Sequence, residues 1–165
     1  MSDDLSVPQL PLSEKHIKAL GLLVARVTLV ESILMDLISI LSSADIFSTV
    51  MMVGHQQLAS KIDTLAALCD HWQTLHPLIP KIIEHLDAAK AVNDFRNSVV
   101  HTYWAEGEDG LPLSVRYSTR RKFERKRRPI SAESIEQHAQ KAQHVAAALK
   151  VIRDKILADR GQKTL

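Results

Sequence analysis

The segment "LGLLVARVTLVESILMDLISIL", residues 20–41, decides the fold class. Its apolar residues recur at spacings of three and four, which is typical of one face of an α-helix and not of the alternation of a strand. This stripe consists of Leu20, Leu23, Val27, Val30, Leu34, Leu37 and Leu41. Further apolar residues lie beside the stripe, at Leu22, Leu29, Ile33 and Ile40. We therefore expect a long helix that packs inside its own domain and also against another chain.

The composition of the whole chain agrees with a helical domain. The 165 residues are 45% hydrophobic and 24% charged, which is ordinary for one globular domain. Only 4% are aromatic and five are Gly, whereas a β-sandwich or barrel needs frequent turn signals. We predict a tail at 1–12, one helical domain at 13–158 and a second tail at 159–165.

Capping and breaking residues divide that domain into helices. Ser13 is placed to cap the first helix, and a short turn or helix is expected at 46–53. A second helix is predicted from about Gln56 to His71 and a third from about Lys81 to Trp104. The prediction is an all-α fold, a four- to five-helix up-and-down bundle.

The last helix is predicted to follow a basic insertion. Ser131 can cap this helix, whose apolar stripe is rich in Ala and so allows close helix packing. Residues 111–128 lose the helical pattern and alternate in part, which predicts a basic loop or β-hairpin inserted before the last helix.

The apolar run at 20–41 raises the question of a membrane span. Arg26, Glu31 and Asp36 interrupt it regularly, so a buried helix is favoured and no membrane is expected as a partner. The single Cys69 cannot form an internal disulfide, and no leader of basic, apolar and small residues precedes the domain. We expect a cytoplasmic protein.

Charge is distributed unevenly along the chain. Residues 116–128 contain eight cations and one acid, a formal charge of +7, which leaves −5 for the rest of a chain whose total is +2. Such a basic segment predicts a polyanionic partner, although a solvated loop would also explain it. Tyr117 and Phe123 could add stacking. The eight cations are Arg116, Arg120, Arg121, Lys122, Arg125, Lys126, Arg127 and Arg128.

The end of the third helix, "NDFRNSVVHTYW" at 93–104, carries polar residues inside an apolar pattern. On a helical wheel, Asn93, Asp94, Asn97 and His101 share one sector, whereas Arg96 lies about 140° from His101 and close to Tyr103. The two sets would line neighbouring edges of one groove. A symmetric copy of the chain could bring one Arg96 beside the other His101.

An Arg, an Asn, three further residues and a His near the end of a long helix form a recognisable pattern. The sequence Arg96-Asn97-Ser98-Val99-Val100-His101 resembles the signature of the HEPN superfamily of small helical-bundle proteins. Tyr103 extends the resemblance to the Arg-x(4)-His-x-Tyr form found in HEPN toxins. The insertion at 111–128 departs from the minimal family pattern, which leaves the subfamily open.

The resemblance implies a function and a set of residues. HEPN ribonucleases cleave RNA without a metal or cofactor, at a composite cleft between two copies of the chain. Arg96, Asn97 and His101 would be catalytic, while Tyr103, Asp94 and Asn93 would be regulatory or supporting. The protein would be an RNA endonuclease of a toxin–antitoxin or other defence system. Its partners would be RNA, a second copy and an antitoxin of nucleotidyltransferase or other type.

Two other classes of function remain open at this stage. A non-catalytic HEPN-like helical dimer could bind nucleic acid or a partner protein, and a purely structural helical adaptor would make the motif a coincidence. Metal chemistry has less support, because the pairs Cys69–His71, His71–His76 and His138–His144 lack the spacing of a closed site. We therefore predict no metal site.

Overall fold

The computed structural model describes residues 10–72, 76–107, 110–118 and 124–162. Within these ranges the chain forms helices packed as a bundle and one small antiparallel sheet that precedes the last helix. The elements are α1 (Glu14–Ser42), α2 (Ile46–Val53), α3 (Leu58–Trp72), α4 (Ile79–Val100), β1 (Tyr103–Glu106), β2 (Pro112–Ser118), β3 (Glu124–Pro129) and α5 (Ala132–Gln162).

Polar side chains cap the beginnings of α1, α2 and α5. The Ser13 hydroxyl oxygen accepts a hydrogen bond from the His16 backbone N–H at 3.4 Å, which confirms the predicted start of α1. Asp45 caps α2 in the same way, accepting from the Ser48 N–H at 2.9 Å. Ser131 accepts from the Ser134 N–H at 3.2 Å at the start of α5. Each cap satisfies a backbone donor that the helix itself leaves free.

The hydrophobic core lies between α1 and the helices around it. α1 packs against α5, α3 and α4, and its predicted apolar stripe is buried from Leu23 to Leu41. On α5 the contact is made largely by small side chains, which let the two long helices approach closely. The fully buried residues of the apolar stripe on α5 are Ile135, Ala139, Ala142, Ala146 and Leu149. The prediction of a helical bundle is confirmed.

The sheet has the strand order β1-β2-β3, with both pairs antiparallel. β2 and β3 form the predicted basic hairpin. β1 was not predicted, because Tyr103 and Trp104 were assigned to the third helix and the residues after them to a loop. That helix ends at Val100, so the predicted end at Trp104 is wrong. The chain leaves the helix because residues 103–106 find backbone partners in β2, with Tyr103 opposite Val115.

Two further boundaries bear on the predictions. α5 continues through Gln162, so the C-terminal tail predicted from residue 159 is helical over its first four positions. Within the described ranges, no helix combines the length and apolar character that crossing a bilayer requires.

Candidate functional site

The last two turns of α4 and the residue after them bring three predicted site residues together. Arg96 and Asn97 are partly buried on α4, and His101 is the residue that ends the helix. One guanidinium nitrogen of Arg96, Nη1, donates to Asn97 Oδ1 at 2.9 Å and lies 3.2 Å from His101 Nε2. The three side chains form one hydrogen-bonded cluster.

The contact with Arg96 defines the role of one imidazole nitrogen. A guanidinium can only donate hydrogen bonds, so His101 Nε2 must accept in its contact with Arg96. On this exposed ring Nε2 has a single lone pair, so it can take a proton from a bound ligand once Arg96 Nη1 has turned away from it.

The arrangement corrects the wheel-based prediction for Arg96 and His101. They were expected about 140° apart on one helix and to meet only through a symmetric copy. His101 instead has φ −100° and ψ 56°, outside the helical region, and its ring turns back to Arg96 of the same chain. A second copy is therefore not needed to join these two residues.

A chain of hydroxyl groups holds the turn after His101 in place. The Thr102 hydroxyl oxygen lies 2.8 Å from that of Ser114 and 3.0 Å from the carbonyl oxygen of Val115. The Ser114 hydroxyl in turn donates to the carbonyl oxygen of Ser98 in α4 at 3.0 Å. These hydrogen bonds connect β2 to the last turn of α4. His101 therefore lies between α4 and Thr102, both of which are bonded to β2.

The cluster opens into a groove with a volume of about 440 Å³. One wall is the end of α4 together with β2, and the other is α1 with the segment that leads into α3. Both elements contribute polar side chains, so the groove suits a charged or polar ligand. Its lining residues are Val27, Thr28, Glu31, Gln56, Gln57, Leu58, Asn93, Arg96, Asn97, His101 and Arg116.

The wall opposite His101 contains an ion pair that sequence reasoning missed. Lys61 is only 3% exposed, forms an ion pair with Glu31 and donates to the carbonyl oxygen of Gly54 at 3.1 Å. The pair fixes the Glu31 carboxylate at the edge of the groove. In the sequence, Glu31 only interrupts an apolar helix, and Lys61 has no pattern that marks it as buried.

Gln56 is a second residue that sequence reasoning missed. Its amide oxygen Oε1 is buried and has no hydrogen-bond partner among the described residues. Buried acceptors are rarely left unsatisfied, and Gln56 lines the groove. Asn93, predicted as a supporting residue, lines the same groove and is 4% exposed.

Two of the residues predicted as regulatory or supporting do not line the groove. Asp94 is exposed on α4 and is not among the lining residues. Tyr103 lies in β1, where it pairs with Val115, and its side chain points to the face of the sheet opposite that of Ser114. The structure therefore separates Tyr103 from the Arg96–His101 cluster.

Only one face of the basic hairpin points toward the groove. Arg116 of β2 lines it, and β3 carries four consecutive exposed cations. In the β2–β3 register, Arg116 lies opposite Lys126, and Ser114 lies opposite Arg128. Lys126 and Arg128 therefore share the face of Arg116, while Arg125 and Arg127 are on the other face. The predicted RNA-binding residues Arg120, Arg121 and Lys122, and also Phe123, lie outside the described residues.

Comparisons with known proteins do not identify the chain. It matches no protein-family model, no curated protein and no solved structure. In the part of the chain that the structure describes, no group of three or more His, Cys, Asp or Glu side chains is placed to hold a metal ion. The function must therefore be argued from the groove and the sheet themselves.

Proposed function

We propose that the protein is a metal-independent endoribonuclease of the HEPN type and that the groove is its active site. The observation that carries the proposal is the contact between Arg96 Nη1 and His101 Nε2 at 3.2 Å. It joins a proton acceptor to a cation suited to phosphate oxygens. These are two of the groups that RNA cleavage without a metal requires.

The reaction is an internal transfer within the RNA strand. When phosphate binds, Arg96 Nη1 turns from His101 Nε2 to a phosphate oxygen. The freed lone pair of Nε2 then takes the proton of a ribose 2′-hydroxyl, and the 2′-oxygen forms a bond to the adjacent phosphorus. The bond from phosphorus to the 5′-oxygen of the next nucleotide breaks, which leaves a 2′,3′-cyclic phosphate and a 5′-hydroxyl. Arg96 donates to the phosphate oxygens, which gain charge in the transition state. Asn97 positions the guanidinium through its 2.9 Å hydrogen bond.

The departing 5′-oxygen needs a proton, and a second copy of the chain would supply it. In the proposed homodimer, the protonated His101 of one copy acts as the acid while that of the other acts as the base. Apolar side chains exposed on α1 and α2 support such a contact. Along the chain, Leu29 follows Thr28 of the groove wall, and α2 ends three residues before Gln56. The exposed apolar side chains include Leu22, Leu29, Phe47, Met51 and Met52.

Cleavage of a labelled single-stranded RNA in the presence of EDTA tests the proposal. Wild type should yield 2′,3′-cyclic phosphate ends, and an all-deoxy strand of the same sequence should stay intact. His101→Ala should lower the rate about 10²- to 10⁴-fold, the usual contribution of a general acid–base group. His144→Ala, at an exposed position on α5, is the matched control and should keep the wild-type rate. Equal rates for wild type and His101→Ala would refute the proposal.

A non-catalytic RNA-binding dimer is the second candidate, and the exposed cations of β3 favour it. It predicts binding that weakens with salt and no cleavage product at any protein concentration. A toxin function adds a cellular prediction: induced wild-type protein arrests growth, whereas His101→Ala does not. A neighbouring gene for a small nucleotidyltransferase would support an antitoxin partner of that kind.

A further inference from the structure

The sheet has an outer face that is separate from the groove. Side chains alternate between the two faces of a strand, and Arg116 on β2 lines the groove. Its neighbours in β2, Val115 and Tyr117, therefore point to the opposite face. The strand pairing places Tyr103 of β1 and Arg127 of β3 on either side of Val115, and Arg125 opposite Tyr117. We call the set Tyr103, Tyr117, Arg125 and Arg127 the tyrosine face.

The aromatic rings of this face are exposed and close together. Tyr103 is 72% exposed and Tyr117 is 49% exposed. Their ring centroids are 5.8 Å apart with the planes inclined at 70°. The guanidinium carbon of Arg125 lies 5.9 Å from the centroid of the Tyr117 ring, within the range of a cation–π contact. Exposed aromatic rings next to cations are a typical binding surface for unpaired bases.

The charges of the face narrow the class of ligand. Glu106 of β1 pairs with Pro112, so its side chain lies on the groove side of the sheet. The tyrosine face itself presents two aromatic rings and two guanidinium groups. A polyanion with exposed aromatic surfaces matches this combination, whereas duplex RNA keeps its base faces stacked inside the helix.

We infer that the tyrosine face binds the unpaired bases of single-stranded RNA, with Tyr103 and Tyr117 stacking on bases and Arg125 and Arg127 contacting the adjacent phosphates. The identity of the ligand rests on the proposed function, but the surface is distinct from the groove. β3 carries cations on both faces, so an RNA backbone can cross this edge strand from the tyrosine face to the groove. In this role Tyr103 acts through its ring and not through its hydroxyl group.

Binding measurements in a His101→Ala background test the inference without cleavage of the probe. The probes are a single-stranded RNA of about 12 nucleotides, an abasic ribose-phosphate strand of equal length and an RNA duplex. Tyr103→Leu and Tyr117→Leu keep apolar cover over Val115 but remove the ring. Each should weaken binding of the base-containing strand roughly tenfold and leave the abasic strand unaffected. Tyr103→Phe, which keeps the ring, should bind within about twofold of the parent.

The outcomes separate this inference from the proposed function. Unchanged affinity in both Leu variants, or an equal loss for the abasic strand, would overturn the tyrosine face even if the groove cleaves RNA. Base-dependent binding that requires both rings would support it even if no variant cleaves RNA. Circular dichroism and the melting temperature establish that the Leu variants are folded, and Tyr103→Phe serves as the folded control.

Discussion

Arg96 and His101 meet within one chain because α4 ends between them. Their nitrogens are 3.2 Å apart, and Asn97 accepts a second hydrogen bond from the same Arg96 nitrogen. The guanidinium is therefore positioned by a neighbour on its own helix and by the residue that leaves the helix. We therefore expect Arg96 to act through the planar shape of its guanidinium as well as through its charge.

Arg96→Lys should lower the cleavage rate about 10- to 100-fold, because an ammonium keeps the charge but loses the planar fork. Arg96→Ala should lower the rate further, about 10³-fold. Asn97→Ala should cost about tenfold, since the guanidinium remains but loses its positioning partner. Single-turnover kinetics measure all three, with Arg160→Lys near the end of α5 as the control. A full rate for Arg96→Lys would show that the planar guanidinium is not required.

The second prediction concerns dimer formation. Phe47→Glu combined with Met51→Glu places charges on the exposed face of α2, and these should separate a dimer that uses this surface. Cleavage should fall at least about tenfold as the second His101 is lost. Sedimentation velocity measures the oligomeric state.

Leu157→Glu, on the exposed surface of α5, is the matched control and should change neither the mass nor the rate. A wild-type protein that cleaves RNA as a monomer would rule out the composite site.

The third prediction uses the unequal burial of the Glu31–Lys61 pair. The Lys61 side chain is 4% exposed and that of Glu31 is 35% exposed. Glu31→Met leaves a buried ammonium with the Gly54 carbonyl, and should cost about 3 kcal/mol in free energy of unfolding. Lys61→Met leaves a carboxylate that water reaches, and should cost less, about 1–2 kcal/mol.

Urea unfolding measures these differences. The double variant should be more stable than Glu31→Met alone, because no unpaired charge stays buried. Strictly additive losses would show that the two side chains do not interact.

The fourth prediction concerns Cys69, which is fully buried on α3. Burial raises the pKa of its thiol to about 11. At pH 8 a disulfide reagent should react on the order of 100-fold more slowly with the folded protein than with the unfolded chain. The Cys69 thiol ionises at a lower pH in the unfolded chain than in the folded protein. The contribution of Cys69 to the free energy of unfolding should therefore fall as the pH rises from about 8.5 toward 11. Equal reaction rates in both states would show that α3 opens readily.

Local patterns predicted most of the bundle. The caps at Ser13 and Ser131 and the stripes on α1 and α5 depend on residues within a few positions of each other, so the sequence carries them directly. The end of α4 could not be predicted in this way. It depends on hydrogen bonds from Thr102 to Ser114 and Val115, which lie in β2, more than ten residues further along the chain.

The candidate site was predictable on one wall only. Arg96, Asn97 and His101 belong to one motif, whereas Glu31 and Gln56 reach the groove through the packing of α1 and the approach to α3. The basic segment was recognised from its charge, but the division of its cations between two faces follows from the register of β2 and β3. No local pattern gives that register.

The edge position of β3 has a consequence for the protein in concentrated solution. An edge strand offers unpaired backbone groups to other chains, and cations on such a strand oppose that pairing. The cations of β3 therefore also oppose edge-to-edge pairing of this sheet with the sheets of other molecules. They are Arg125, Lys126, Arg127 and Arg128. Replacing several of them by neutral β-formers would create an aggregation-prone edge, so the cations that we assign to RNA also keep the protein dispersed.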